Sequence, residues 1–249
     1  MPAEPLATGA IMDAFEFARI AAELNAAKGP EETAEEVVEH GRETLGADHA
    51  GITLITPRKR LRTVGTTDPV VLEADKLQYA LNEGPCNDSA WSGETLASVR
   101  IDRDERWPVW GPRAAELGLR SALAGQLTDT TGERIGCLNL YWTTERTFSA
   151  DDHSYVQIFT THAAIALASS MRHAQLDTAL DARKVIGQAQ GILMERHSLR
   201  PDQAFEVLRR YSQNTNTKLR DVAQFLVTHR ALPDTDPSRN RANLDEAVN

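Results

Sequence analysis

Ile186-Gly-Gln-Ala-Gln-Gly-Ile-Leu-Met194 is the stretch on which the reading of this chain turns. With Val185 ahead of it, apolar residues recur at Val185, Ile186, Ala189, Ile192 and Leu193, offsets of three and four that mark one face of a helix. That helix is expected to end near His197-Ser198. Pro201 then stands where a first helical residue belongs, since its missing N–H costs nothing there. A second helix should carry Ala204, Phe205, Val207, Leu208 and Tyr211. Asn214-Thr-Asn-Thr217 should break it and lend a side-chain oxygen cap to a third, with Leu219, Val222, Ala223, Leu226 and Val227. Connections this short fold three helices into a small bundle. Gly191, Ala189 and Ala223 are read as residues that let the helices pack closely.

Working outward, charge separates this segment from the rest. Residues 181–232 hold nine Lys/Arg against five Asp/Glu, while the whole chain of 249 residues carries a net charge of −9. The asymmetry singles out the bundle as the part able to approach phosphates. Arg183, Lys184, Gln188, Gln190, Arg196, Arg209, Arg210, Lys218 and Arg220 lie off the apolar face, with amides able to bond base edges and cations able to bond phosphates.

Upstream, Asp151 to about His197 contains no proline and reads as one long helix. Ile158, Ile165, Ala168, Leu176, Leu180 and Val185 fall near one stripe, a weak heptad-like seam suited to pairing in a homodimer. Earlier still, Ile11–Lys28 and Pro30–Leu45 have helical spacing, the first stopped by Gly29-Pro30. Ala50–Thr56 alternates with period two, Arg60–Thr66 should return antiparallel to it, and Val70–Leu81 is helical. Thr95–Val99, Ser121–Leu127 and Ile135–Trp142 read as strands, with Thr130-Thr-Gly-Glu133 as a hairpin turn. The expected architecture is an α+β domain over 12–168, a helical linker or coiled coil over 169–180, and an all-α module over 181–232. A polar tail over 233–249 and the lead Met1–Gly9 are expected to be flexible.

The ordered set Ile186–Met194, Ala204-Phe205, Leu208-Arg209, Asn216, Lys218-Leu219 and Asp221-Val-Ala223 resembles the ANTAR domain, the RNA-binding output module of bacterial antitermination regulators. Gln190 stands where many members carry Lys, and Arg200 where a Ser or Thr helix cap is common. The resemblance implies binding of nascent RNA bearing two neighbouring stem-loops with hexanucleotide loops, which prevents a competing terminator hairpin. With that RNA target supplied, the polar and basic residues Arg183, Lys184, Gln188, Gln190, Arg196, Arg209, Asn216, Lys218 and Arg220 are the expected RNA contacts.

Residues 12–168 resemble a GAF domain of the type found ahead of ANTAR modules in actinobacteria. The residues that carry the likeness are Glu83-Gly-Pro-Cys86, Arg106-Trp-Pro108, Gly118-Leu-Arg-Ser121, Gly136-Cys-Leu-Asn-Leu-Tyr141, Phe148 and Asp151-Asp152. GAF domains bind small molecules between sheet and helices, or only dimerise, so a small-molecule or protein signal is expected here. The Asn-Lys pair of the cyclic-nucleotide subset is incomplete, because Leu140 follows Asn139. Cys86, expected in a loop as a buried thiol, and Trp91, Trp107 and Trp110 are the pocket candidates.

No cofactor or metal is expected: His40, His49, His153 and His162 have no ligand spacing, and two cysteines make no zinc site. No phosphate loop or nucleophile elbow points to an enzyme. With no membrane-length apolar run and no signal peptide, the cytoplasm is expected. The leading reading is a cytoplasmic, sensor-gated, RNA-binding antiterminator; the alternatives are a DNA-binding regulator, or a ligand-binding or dimerisation scaffold.

Overall fold

The computed structural model describes residues 14–232. Met1–Gly9, Ile11 and the tail 233–249 lie outside them. The chain divides into two compact units, the first ending at His173 and the second beginning at Ala174.

The first unit contains helices α1 (Ala14–Ala26), α2 (Pro30–Leu45), α3 (Pro69–Leu81), α4 (Pro85–Ser92) and α5 (Trp110–Glu116), with a 3₁₀ turn at Ile101–Arg103. Strands β1 (His49–Ile55), β2 (Leu61–Thr66), β3 (Leu96–Ser98), β4 (Ser121–Thr128) and β5 (Arg134–Trp142) form one antiparallel sheet in the order β2-β1-β5-β4-β3. Local chemistry sets the ends. Asp68 accepts a hydrogen bond from the Val70 N–H at 2.8 Å and caps α3 ahead of Pro69. At the β4–β5 hairpin, Asp129 Oδ1 accepts from the backbone of Thr131 and Glu133, with Gly132 at a positive φ of 84°.

Strand alternation gives the sheet two unlike faces. Ala50, Ile52, Leu54, Leu123, Leu127, Leu138, Leu140 and Trp142 pack with α1, α2 and the start of helix α6 (Ala150–His197) in one dry cluster that includes Val156 and Phe159. Gly125 makes this approach possible: a Cβ there would stand 2.3 Å from Val156 Cγ1. The opposite face carries Thr53, Cys137, Asn139 and Tyr141 towards α3, α4 and α5, beside Val71, Ala74, Trp107 and Trp110.

Several residues that carry the GAF likeness prove to be braces. Glu83 Oε2 accepts from the N–H groups of Val109 and Trp110 at 2.9 Å each, seating α5. The Arg106 guanidinium stacks 4.3 Å from the Trp107 ring centre and pairs with Asp104 at 2.6 Å. Arg146 pairs with Asp152 at 2.7 Å and lies over Trp142, which meets Phe148 edge-on.

The second unit contains the end of α6, α7 (Pro201–Thr215) and α8 (Leu219–His229) around Ala189, Leu193, Ala204, Leu208, Val222, Ala223 and Leu226. Two local expectations are corrected. The N-cap of α8 is Lys218, with no side-chain cap bond; Asn214–Thr217 instead ends α7 through Asn216 in the left-handed region, φ 49°. Gly191 does not serve packing, since a Cβ there would meet nothing within 4 Å, whereas Ala189 and Ala223 are fully buried. The stripe along α6 also splits: Ile158, Leu176 and Leu180 are exposed, while Ala168 is buried and Val185 packs against the bundle core.

Candidate functional site

In the first unit, Cys86 lies in the first turn of α4 rather than in a loop. Gly84, at φ 118°, makes the turn before it, and a Cβ there would collide with Gln78 Oε1 at 2.2 Å. That oxygen accepts the Cys86 backbone N–H at 2.8 Å. Cys86 Sγ donates to Thr53 Oγ1 at 3.2 Å, and Cys137 stands opposite Thr53 in the β1–β5 register. Both thiols are free and buried. Burial, and then the neighbouring Cys137, push the Cys86 thiol well up, which suppresses thiolate chemistry.

Around Thr53 lies a polar network that the sequence reading did not single out. Asp75 Oδ2 accepts from Thr63 Oγ1 at 2.8 Å. Its Oδ1 accepts from Gln78 Nε2, Asn139 Nδ2 and Tyr141 Oη, each at 3.3 Å. The Tyr79 hydroxyl lies 2.7 Å from Thr53 Oγ1 and 2.8 Å from Thr63 Oγ1. Every one of these donors is neutral. Desolvation therefore dominates and raises the Asp75 carboxyl to about 6 against the opposing hydrogen bonds. Asn139 Oδ1 is buried without a partner. The available signal was two polar residues, Asp75 and Gln78, one turn apart on the buried side of α3, and the alternation of Cys137, Asn139 and Tyr141 along β5.

Of the four pocket candidates, Cys86, Trp107 and Trp110 lie in the helical layer over this face. Trp107 and Trp110 meet edge-on at 5.9 Å; their ring N–H groups donate to Asp88 Oδ2 and to the Ala74 carbonyl. Trp91 stands apart, 38% exposed near the end of α4.

In the second unit, the nine predicted contact residues form no single cluster. Arg183, Lys184, Gln188, Gln190 and Arg196 lie on α6, Arg209 on α7, Asn216 in the α7–α8 turn, and Lys218 and Arg220 at the start of α8. Three of their side chains have partners within the bundle, Arg196 among them through the Arg230 carbonyl. Gln190 Nε2 donates to the Pro201 carbonyl at 3.0 Å, tying α6 to α7, and Arg209 pairs with Glu206 at 2.6 Å. Arg200 likewise pairs with Asp202, whose carboxyl it holds below the usual range. Arg183, Lys184, Arg196, Lys218, Arg220 and Arg230 have no carboxylate partner among the described residues.

Two open grooves mark this unit. One, on α7, is lined by Asp202, Gln203, Glu206, Val207, Arg210 and Tyr211, about 370 Å³ in volume. The other, about 670 Å³, lies between α6 and α8 and brings Gln188 and Arg196 together with Arg230 and Gly191. Arg230 and Gly191 were absent from the sequence-predicted contacts. Lys218 and Arg220 sit at the far end of α8, about 15 Å away along the helix.

No helix of the described residues is long and apolar enough to cross a membrane. No group of His, Cys, Asp and Glu among them could hold a metal ion.

Comparison with known proteins follows this division. No curated protein matches the chain. The first unit has the fold of solved GAF domains. The GAF domain of an Acinetobacter phosphoenolpyruvate-protein phosphotransferase is 16% identical with a TM-score of 0.50, over 64% of this chain and 94% of that one. A free methionine-R-sulfoxide reductase from Neisseria meningitidis, solved with its substrate, is also 16% identical with a TM-score of 0.50, over 63% and 88%. A bacteriophytochrome from R. palustris is 11% identical with a TM-score of 0.56, over 81% of this chain but 47% of that one. At such identities the likeness is one of fold, and a fold does not by itself fix an activity. The family matches are more definite: the GAF domain family matches residues 27–168 and the ANTAR domain family residues 174–227. The chain belongs to the GAF–ANTAR regulators, a GAF domain followed by an ANTAR domain.

Proposed function

We propose that this chain is a cytoplasmic transcription antiterminator, whose ANTAR module holds paired hexaloop stem-loops of nascent RNA and whose GAF domain gates that binding. The observation that carries the reading is the electrostatics of the second unit. Arg183, Lys184, Arg196, Lys218 and Arg220 stand on a closed three-helix core without carboxylate partners among the described residues. Such cations hold phosphates, while Gln188 and Asn216 are suited to the exposed edges of unpaired bases. Gln190 braces α6 against α7 in this reading, and Arg209 is held by Glu206 on its own helix.

The acting species is a homodimer, supported by Leu176 and Leu180, 60% and 64% exposed on α6. Two linked stem-loops then meet two linked modules, and affinity rises through effective concentration. The signal is a small molecule or a protein acting on the helical layer over the polar sheet face, where Cys86, Trp107 and Trp110 lie.

Electrophoretic shifts with RNA bearing two adjacent hexaloop stem-loops, set against duplex DNA of the same sequence, test the reading. A shift of the RNA alone is expected. A shift of the duplex alone would give the module to DNA, and no shift of either would leave it a scaffold.

A further inference from the structure

We infer that the groove between α6 and α8 is the seat of an unpaired RNA base and its phosphate. The inference rests on the RNA-binding reading above and gives it a place on the module. The groove is lined by Gln188, Gly191, Ile192, Glu195, Arg196, Val227 and Arg230. Ile192 and Val227 are partly buried and form an apolar floor against the bundle core. Gln188 and Glu195 offer an amide and a carboxylate at the sides, able to pair with the donors and acceptors of a base edge. Two guanidiniums close the end: Arg196 donates to the Arg230 carbonyl, and neither side chain has a carboxylate partner among the described residues. A flat apolar surface beside hydrogen-bonding groups, with cations at one end, matches a nucleotide splayed from a loop.

Two residues are costly to the fold yet present. Gly191 stands in the interior of α6, where glycine is among the poorest helix formers, and a Cβ there would meet nothing of this chain. No internal contact asks for glycine here or at Gly187, but of the two only Gly191 lines the groove, where it leaves room for a ligand against the helix backbone. Arg230 ends α8 in the left-handed region, φ 56°, a position that favours glycine. Its side chain is kept where the backbone would prefer none. The α7 groove differs in balance: two carboxylates, Asp202 and Glu206, stand against one cation, Arg210, and both carboxylates already pair with arginines. The α6–α8 groove carries two cations against one anion, which favours a polyanion over a second copy of the same surface.

Two substitutions separate binding from folding, because each should stabilise the bundle. Gly191→Ala and Arg230→Gly in the full chain are expected to melt at or above the wild-type temperature. Each should lose roughly tenfold or more in affinity for the two-stem-loop RNA, the scale of one base contact. Arg230→Gly should also lower the salt dependence by about one phosphate contact. Gly187→Ala, equally open to solvent but outside the groove, should gain stability and bind as wild type. Wild-type affinity in both groove variants would overturn the assignment while leaving the RNA reading intact. A change in sedimentation of Gly191→Ala without RNA would also overturn it and give the groove to a second copy. Failure of the wild-type chain to shift the RNA would remove the RNA reading itself.

Discussion

Asp75 sets the sharpest expectation at the scale of single residues. Its folded carboxyl titrates at about 6, above the 3.8 of an unperturbed aspartate, so folding favours the protonated acid. The stability it contributes is fully present below about pH 4 and is lost as pH rises through 6. The loss amounts to about 3 kcal/mol, since each tenfold change in proton affinity is worth about 1.4 kcal/mol. The melting temperature of Asp75→Asn relative to wild type should therefore rise as pH goes from 4 to 7; a gap that ignores pH would show that the ionised form costs nothing. Arg209→Ala belongs to the same scale. Its pair with Glu206 is exposed on both sides, so its removal should change stability by less than about 0.5 kcal/mol. Lys218→Ala, by contrast, should weaken RNA binding most at low salt and reduce the salt slope by about one contact; an unchanged slope would take Lys218 out of the interface.

Among the elements, Gly125 of β4 sets how closely α6 can approach the sheet. Gly125→Ala should cost about 1–3 kcal/mol through overpacking, because Val156 and Thr160 leave no room for a methyl group. Chemical denaturation would read this loss, and a neutral result would mean that α6 can lift from β4 without penalty. The longer elements were legible in the sequence for a physical reason: period two in Ala50–Thr56 and offsets of three and four in Val185–Leu193 are imposed by burial on one side. The short helices α4 and α5 were not read, since seven or eight residues give hardly two turns of periodicity. The buried network was hidden by a different effect. Asp75 and Gln78 have polar names that suggest solvent, and only the meeting of α3 with β1, β2 and β5 supplies the partners that let them be buried. Gly191 reads as a packing glycine by its residue type, although its place two residues from both Ala189 and Leu193 sets it on the outward side of the helix. Arg230 lay just past the last apolar repeat, where a cation looks like ordinary solvated surface.

At the scale of the whole molecule, the exposed leucines of α6 give the proposed dimer its test. Leu176→Glu with Leu180→Glu should yield monomers by sedimentation at micromolar concentration. Affinity for the paired stem-loops should then fall towards that for a single one. A dimer that survived both charges would place the contact elsewhere on the chain. The two unlike faces of the sheet carry a last consequence for how a signal is relayed. Asn139 and Tyr141 of β5 point into the hydrogen-bonded layer, while Leu138 and Leu140, their immediate neighbours, point into the dry cluster that holds Phe159 of α6. In the proposed reading, the wall between receiver and transmitter is thus a single peptide thick. A ligand that drew Asn139 or Tyr141 out of its bonds with Asp75 would tilt the same strand that seats α6. The message would cross by leverage within one strand, with no chain of intermediates to traverse.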